Sequence, residues 1–351
     1  MITIRDLLQI TIDKEASDLH IIAGYYPTIR VNHQILPLRT LEVIDSNTSQ
    51  ILLEPLLNED QKHSLISNRE IDIGYEYDGY RFRINLYYAQ GKLAAAFRLI
   101  PRKIKTIEEL NLPASFHGFT NFKQGLVLVT GPTGEGKSTT IASLLNELNL
   151  NSTSHIVTIE DPIEFVYPTG KSIVSQRELH QDTYSWNVAL KSVLREDPDI
   201  VLVGEMRDYD TVQAVLTIAE TGHLVFSTLH TNSTPETIDR IIDVFPAHQQ
   251  NQVRSQLASV LKVVVSQRLL PHINNTERIP GIEILSNTNA VANLIREGKT
   301  FLLNNVIETS EEDGMLLFEK NLVQLVRKGL ITKEVALIYA LRRNEIQKFL
   351  T

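Results

Sequence analysis

The stretch Gly125-Leu126-Val127-Leu128-Val129-Thr130-Gly131-Pro132-Thr133-Gly134-Glu135-Gly136-Lys137-Ser138 sets the architecture. Its first half is an apolar run, the mark of a strand buried on both faces of a parallel sheet. Its second half, Gly131 to Ser138, matches GxxxxGK[ST]. In that pattern the glycines let backbone N–H groups turn inward around phosphates, and the lysine reaches the β- and γ-phosphates. The hydroxyl at the helix N-terminus ligates Mg²⁺. The expected nucleotide contacts are Gly131, Pro132, Thr133, Gly134, Glu135, Gly136, Lys137, Ser138 and Thr139, with ATP as ligand and Ser138 on Mg²⁺.

Outward from this loop, a helix is expected from Ser138. Further apolar strand runs follow at His155–Ile159, Ile200–Val203 and Leu224–Phe226. Helical patterns near Trp186–Leu194 and Thr211–Glu220 separate them, so the region 125–285 reads as a parallel sheet covered on both faces. From about residue 286 the pattern is helical to the end. Upstream, Ile4, Leu7, Leu8, Thr11 and Ile12 fall at helical spacing. Strand-like runs occupy Leu19–Ile22, Thr28–Val31, Ile71–Tyr77 and Leu93–Ile100, and Arg81–Tyr87 alternates strictly, with Arg81, Arg83 and Asn85 on the polar face. Residues 1–100 thus form a small α+β domain, and the Pro-containing, basic stretch 101–124 is the expected linker.

Hydrolysis needs acids at the strand ends that face a triphosphate. Asp199–Glu205 is a buried strand pattern ending in Glu205, and the cluster Glu160-Asp161-Pro162-Ile163-Glu164 follows another strand. His223 and His230 flank the strand Leu224–Thr228. They read as structural histidines, as γ-phosphate sensors or, with least support from spacing, as metal ligands.

Composition bounds the rest. The 351 residues carry a net charge of −8, with 42% hydrophobic and 22% charged side chains, which is a globular composition without a global basic field for nucleic acid. The chain has no cysteine, which excludes disulfides, thiolate metal sites and a cysteine nucleophile. No apolar run approaches the ~18 residues of a membrane span, and the first residues lack the pattern of a secretory signal. A soluble protein of the cell interior is the expectation.

Four motifs in order, Gly125–Thr140, TIEDPIEF (Thr158–Phe165), LREDPDIVLVGEMRD (Leu194–Asp208) and ETGHLVFSTLHT (Glu220–Thr231), resemble the Walker A, Asp box, Walker B and His box of the secretion-type ATPases. Together with ASDLH at Ala16–His20, they are most similar to those that retract type IV pili. The resemblance implies an α/β fold: a RecA-like P-loop NTPase core (125–285), a small N-terminal PAS-like α+β domain (1–100) and a C-terminal helical region (286–351). It implies an ATP hydrolase in which Glu164 is the general base, Glu205 supports Mg²⁺ partly through water, and His230 and Lys137 act at the phosphates. It also implies a homohexamer in which Arg83 and Arg98 serve a neighbour's nucleotide, with Arg195 a further cation at the site. Partners would be the inner-membrane pilus platform protein and other pilus ATPases, at the cytoplasmic face of the membrane. No nucleic acid and no transmembrane segment are expected.

Three positions depart from the family pattern. Glu135 replaces a small residue in the P-loop, Lys191 stands for an arginine, and Ala292 replaces the first arginine of a retraction motif seen here as Ala290–Glu297. In that segment Val291, Leu294 and Ile295 share one helical face, leaving Asn293, Arg296 and Glu297 outward. Accessory retraction ATPases share the boxes; extension ATPases usually add a four-cysteine zinc insertion, which is missing here. A nucleic-acid translocase is the alternative of another class, and it predicts DNA-stimulated turnover.

Overall fold

The computed structural model describes residues 2–31, 34–274 and 277–350. The chain divides into two compact units. One runs up to Lys103 and includes Pro162–Val166; the other comprises Ile104–Asp161 and Tyr167 onward.

The first unit opens with helix α1 (Ile4–Asp13), started by a capping box in which Thr3 and Asp6 satisfy each other's backbone N–H groups. Strands β1 (Asp18–Ile21), β2 (Thr28–Val31) and β3 (Gln34–Pro37) follow, then helices α2 (Ser46–Leu53) and α3 (Glu59–Asn68). Strands β4 (Glu70–Tyr77), β5 (Tyr80–Ala89) and β6 (Lys92–Leu99) complete an antiparallel sheet of order β3-β2-β1-β6-β5-β4. The alternation read in the sequence is obeyed: Phe82, Ile84 and Leu86 are fully buried under α1 and α2, in one core with Leu7, Leu8 and Leu53.

The second unit begins within the stretch expected to be a linker. From residue 104 that stretch packs inward: Ile107, Leu112, Phe116 and Phe119 are buried, the last two on the short helix α4 (Phe116–Phe119). Then come β7 (Gly125–Thr130), α5 (Lys137–Asn151), β8 (His155–Glu160), β9 (Ile173–Glu178), α6 (Trp186–Val193), β10 (Ile200–Val203), α7 (Tyr209–Glu220) and β11 (Leu224–Leu229). Helices α8 (Thr234–Asp243) and α9 (Ala247–Val260) lead to strands β12 (Leu261–Pro271) and β13 (Arg278–Ser286). The seven-stranded order is β13-β12-β7-β11-β10-β8-β9, parallel throughout except for β13.

Every residue of β7 is buried. Leu126 and Leu128 pack with α6, α7 and α9, whereas Val127 and Val129 face α4 and α5, so consecutive side chains fill the two layers. Strand β7 lies between β11 and β12, where the strand order reverses, and its carboxyl end is therefore the crevice in which such sheets bind ligands. The C-terminal helices α10 (Asn289–Arg296), α11 (Leu303–Thr309), α12 (Phe318–Arg327), α13 (Lys333–Tyr339) and α14 (Arg343–Leu350) pack partly on this core and partly with Leu270 and Ile279 in a core of their own. Among the described residues no helix is long and apolar enough to cross a membrane.

Candidate active site

Strand β7 delivers the loop Gly131–Gly136 to the sheet's carboxyl edge, and Gly131 N–H donates to the Leu229 carbonyl of β11 at 3.2 Å. Gly131 is required by contact: a Cβ there would stand 2.3 Å from the Gln267 carbonyl oxygen of β12. Lys137 opens α5 and is 8% exposed. Its ammonium donates to the carbonyls of Gly131 at 2.8 Å and Pro132 at 2.9 Å, so it spans the loop that its helix follows. Ser138 and Thr139 share the first turn of α5, where helix N–H groups lack intrahelical acceptors and the dipole favours anions.

Beside this loop, His230 directly follows β11 and Glu205 stands two residues past the end of β10. His230 Nδ1 lies 3.5 Å from Lys137 Nζ and 3.4 Å from Thr133 Oγ1, and its Nε2 lies 3.2 Å from Glu205 Oε2. An ammonium on one side and a carboxylate on the other fit one tautomer: the Nε2–H donates to Glu205 and Nδ1 accepts. The other Glu205 oxygen is paired with Arg207, whose guanidinium is held further in its charged form by Glu205 and by the nearby Asp161. Lys137, His230, Glu205 and Arg207 thus form one polar line along the carboxyl ends of β7, β11 and β10.

Other expectations land differently. Glu164 is exposed and lies in the segment 162–166, which groups with the first unit. It is therefore not among the groups that the second unit itself assembles around Lys137. The acid that ends β8 is Glu160, 8% exposed, accepting from Thr158 Oγ1 at 2.6 Å and from Gln176 Nε2 at 3.3 Å. Arg195 occupies the turn before β10, at the amino end of the sheet, so this chain does not bring it to its own P-loop. His223 stands at that same amino end, its Nδ1 3.1 Å from the Ile218 carbonyl. It and His230 are separated by the length of β11, roughly 20 Å, and cannot share a metal ion. Among the described residues no group of three or more metal-binding side chains gathers.

In the first unit Arg83 and Arg98 are direct cross-strand partners on β5 and β6. Asp18 of β1, the acid of ASDLH, faces Arg98 on one side and Arg30 of β2 on the other. It accepts from Arg98 Nε at 3.0 Å and pairs with Arg30 at 3.4 Å. Arg83 Nε lies 3.7 Å from Asp72. Three arginines therefore line one face, aimed by two acids. Sequence reasoning missed Arg207 and Asp18. The signal for Arg207 was its place two residues after Glu205; for Asp18 it was strand register, which no local pattern carries.

A phosphate-binding loop at the reversal point of a parallel sheet, with a lysine, an acid and a histidine converging on it, defines a P-loop ATPase. The chain belongs to the family described as Type II/IV secretion system protein, which its residues 80–344 match. It is 45% identical to the type IV pilus retraction ATPase PilT of Pseudomonas aeruginosa, over 95% of this chain and 96% of that one. It is 38% identical to the type IV pilus ATPase PilU of the same organism, over 97% and 89%. A crystal structure of the pilus retraction motor PilT with bound ADP superposes with a TM-score of 0.92 at 41% identity, covering 99% of this chain and 100% of that one. The chain is an ATPase of the pilus-retraction type, with a nucleotide-binding α/β core.

Proposed function

We propose that this chain forms a homohexameric ring in the cytoplasm that hydrolyses Mg·ATP to disassemble type IV pili, working against the inner-membrane pilus platform protein. The observation that supports it most is the polar line from Lys137 through His230 and Glu205 to Arg207, which joins the phosphate loop to the strand-end acid. On nucleotide binding, Lys137 exchanges the Gly131 and Pro132 carbonyls for β- and γ-phosphate oxygens. His230 follows the change, because its Nδ1 faces that ammonium, and it passes the change to Glu205. The Ser138 hydroxyl and the Glu205 carboxylate are the donors that would hold Mg²⁺, hard oxygen ligands of the kind this ion prefers. The ion would neutralise charge developing on the phosphoryl oxygens. Glu164 orients the attacking water, and Arg83 and Arg98 of a neighbouring subunit add positive charge, by the family resemblance.

Work is delivered through α10. Arg296 is exposed there, its guanidinium 3.0 Å from Asn293 Oδ1, while Val291 and Ile295 are buried. Ala292 is only 7% exposed and packs into the ATPase core, so the position of the motif's first arginine points inward and Arg296 is the basic group left for a partner. The test is allelic replacement in the host. Lys137→Ala should abolish both ATPase activity and twitching and leave the cells hyperpiliated. Arg296→Ala should produce the same cells with the purified enzyme's turnover within about twofold of wild type. Normal retraction in either strain would refute the scheme.

A further inference from the structure

The P-loop glutamate turns its carboxylate to strand β12. Glu135 stands between Gly134 and Gly136, both at positive φ (82° and 78°), the most pliable part of the loop. Its carboxylate reaches β12, where Oε2 accepts the Leu269 N–H at 2.5 Å. The same strand also holds the residue's backbone: the Gln267 side-chain amide donates to the Glu135 carbonyl at 2.7 Å. The other end of that amide accepts from Thr140 Oγ1 in the first turn of α5, again at 2.7 Å. Three hydrogen bonds therefore tie the loop tip, β12 and the start of α5 into one bracket. Strand β12 reaches further, since Arg268 Nη2 donates to Asn232 Oδ1, two residues past His230, at 3.1 Å.

We propose that Glu135 is a positioning residue for the ATPase reaction: its carboxylate pins the loop tip to β12 and sets the phosphate-facing N–H groups before nucleotide arrives. A segment flanked by two glycines loses backbone freedom when it closes around phosphates, and ordering it in advance moves that cost out of binding. The tie is a charge-assisted N–H···carboxylate bond, the stronger kind. A small residue at this place has no acceptor that reaches Leu269. The negative charge that Glu135 brings to the loop is thereby engaged by a backbone donor of the neighbouring strand.

The experiment is steady-state ATP hydrolysis by the full-length chain, together with ADP affinity, in wild type, Glu135→Ala and Glu135→Gln. Loss of one charge-assisted bond predicts that E135A raises the KM for ATP and the Kd for ADP roughly three- to tenfold, with kcat changed less than about twofold. E135Q keeps an acceptor oxygen without the charge and should bring both constants back to within about twofold of wild type. Equal rises in the two variants would show that the acceptor oxygen contributes nothing, and would overturn the proposal; a common fall in KM would overturn it as well, marking the carboxylate as a repulsive neighbour of the triphosphate. Unchanged KM and Kd in E135A would overturn it too, including the case in which only the nucleotide-free melting temperature drops, since that describes a brace for the fold alone.

Discussion

In the first unit the two arginines that the proposed function assigns to the nucleotide sit mid-strand, Arg83 and Arg98 being register partners on the face of an antiparallel sheet. In the second, Lys137, Glu205 and His230 all stand just past the carboxyl ends of parallel strands. The consequence is a difference in self-sufficiency. Strand ends converge on one crevice within their own sheet, so the second unit completes its lysine–histidine–acid line unaided. A sheet face presents its charges outward, and Arg83 and Arg98 are paired with acids of their own sheet, Asp72 and Asp18. In the proposed function these are the groups that meet a neighbouring subunit's phosphates, for which a planar guanidinium is suited.

The largest expected effect breaks the comparison open. Lys137→Ala and Arg83→Ala should each lower turnover upward of about 100-fold. Mixing the two inactive proteins should restore activity, because an interface can then pair an intact second unit with an intact first unit from another subunit. Activity no greater than the sum of the separate proteins would show that each chain completes its own site.

The same contrast explains what could be read from sequence. Walker A, Glu205 and His230 were legible because a strand end and its loop are contiguous, so fold and chemistry share one local signal. The β5 alternation and α1 were legible by their periods of two and of 3.6. Strands β9, β12 and β13 went unassigned, although Val263–Val265 is fully buried, because an apolar run of that length fits a helix or a strand alike. That omission hid Gln267 and Leu269, and with them the place of the Glu135 carboxylate. Asp18 was likewise invisible: its partners are 12 residues away in Arg30 and 80 in Arg98, and only register brings them together.

Two charge clusters sharpen the comparison on stability. In the second unit Arg342 reaches Glu283 at 3.2 Å and Glu319 at 2.6 Å, two carboxylates that are 0% exposed, and Glu283 Oε1 also accepts from Thr234 N–H and Oγ1. In the first unit the mirror arrangement, Asp18 between Arg30 and Arg98, has arginine side chains 35% and 68% exposed. Arg342→Ala should cost about 3–5 kcal/mol, since it strands two buried acids. Asp18→Ala should cost about 1 kcal/mol or less, since its arginines return to water. Burial already raises the Glu283 carboxyl above its ordinary value. Protonation therefore relieves the Arg342 variant, and its melting deficit should be smaller at pH 5 than at pH 8. Equal costs in chemical denaturation would mean that the two clusters do not differ in solvation.

The smallest effect concerns two histidines whose pH responses should have opposite signs. In the second unit His117 on α4 has Nδ1 2.8 Å from Glu147 Oε2 of α5 and Nε2 2.7 Å from Glu108 Oε1. Both ring nitrogens face carboxylates, so the doubly protonated ring fits best, and hydrogen bonds to Glu147 and then Glu108 raise its pKa. A raised folded-state pKa gives stability that is fully present below the unfolded value, about 6.5, and is lost as pH rises through the folded one. In the first unit His20 on β1 is lowered, chiefly by burial, with Asp18 opposing and Arg30 and Arg98 assisting. Its penalty is the reverse: folding is weakened as pH falls through the unfolded value, where the released ring takes a proton the folded one refuses. His117→Gln should therefore lower the melting temperature more at pH 6 than at pH 9, by no more than about 2 °C given the ring's exposure. His20→Gln should instead gain relative to wild type as the pH is lowered over the same range. Parallel pH profiles for the two variants, followed by calorimetry on the full chain, would show that neither local environment governs its ring.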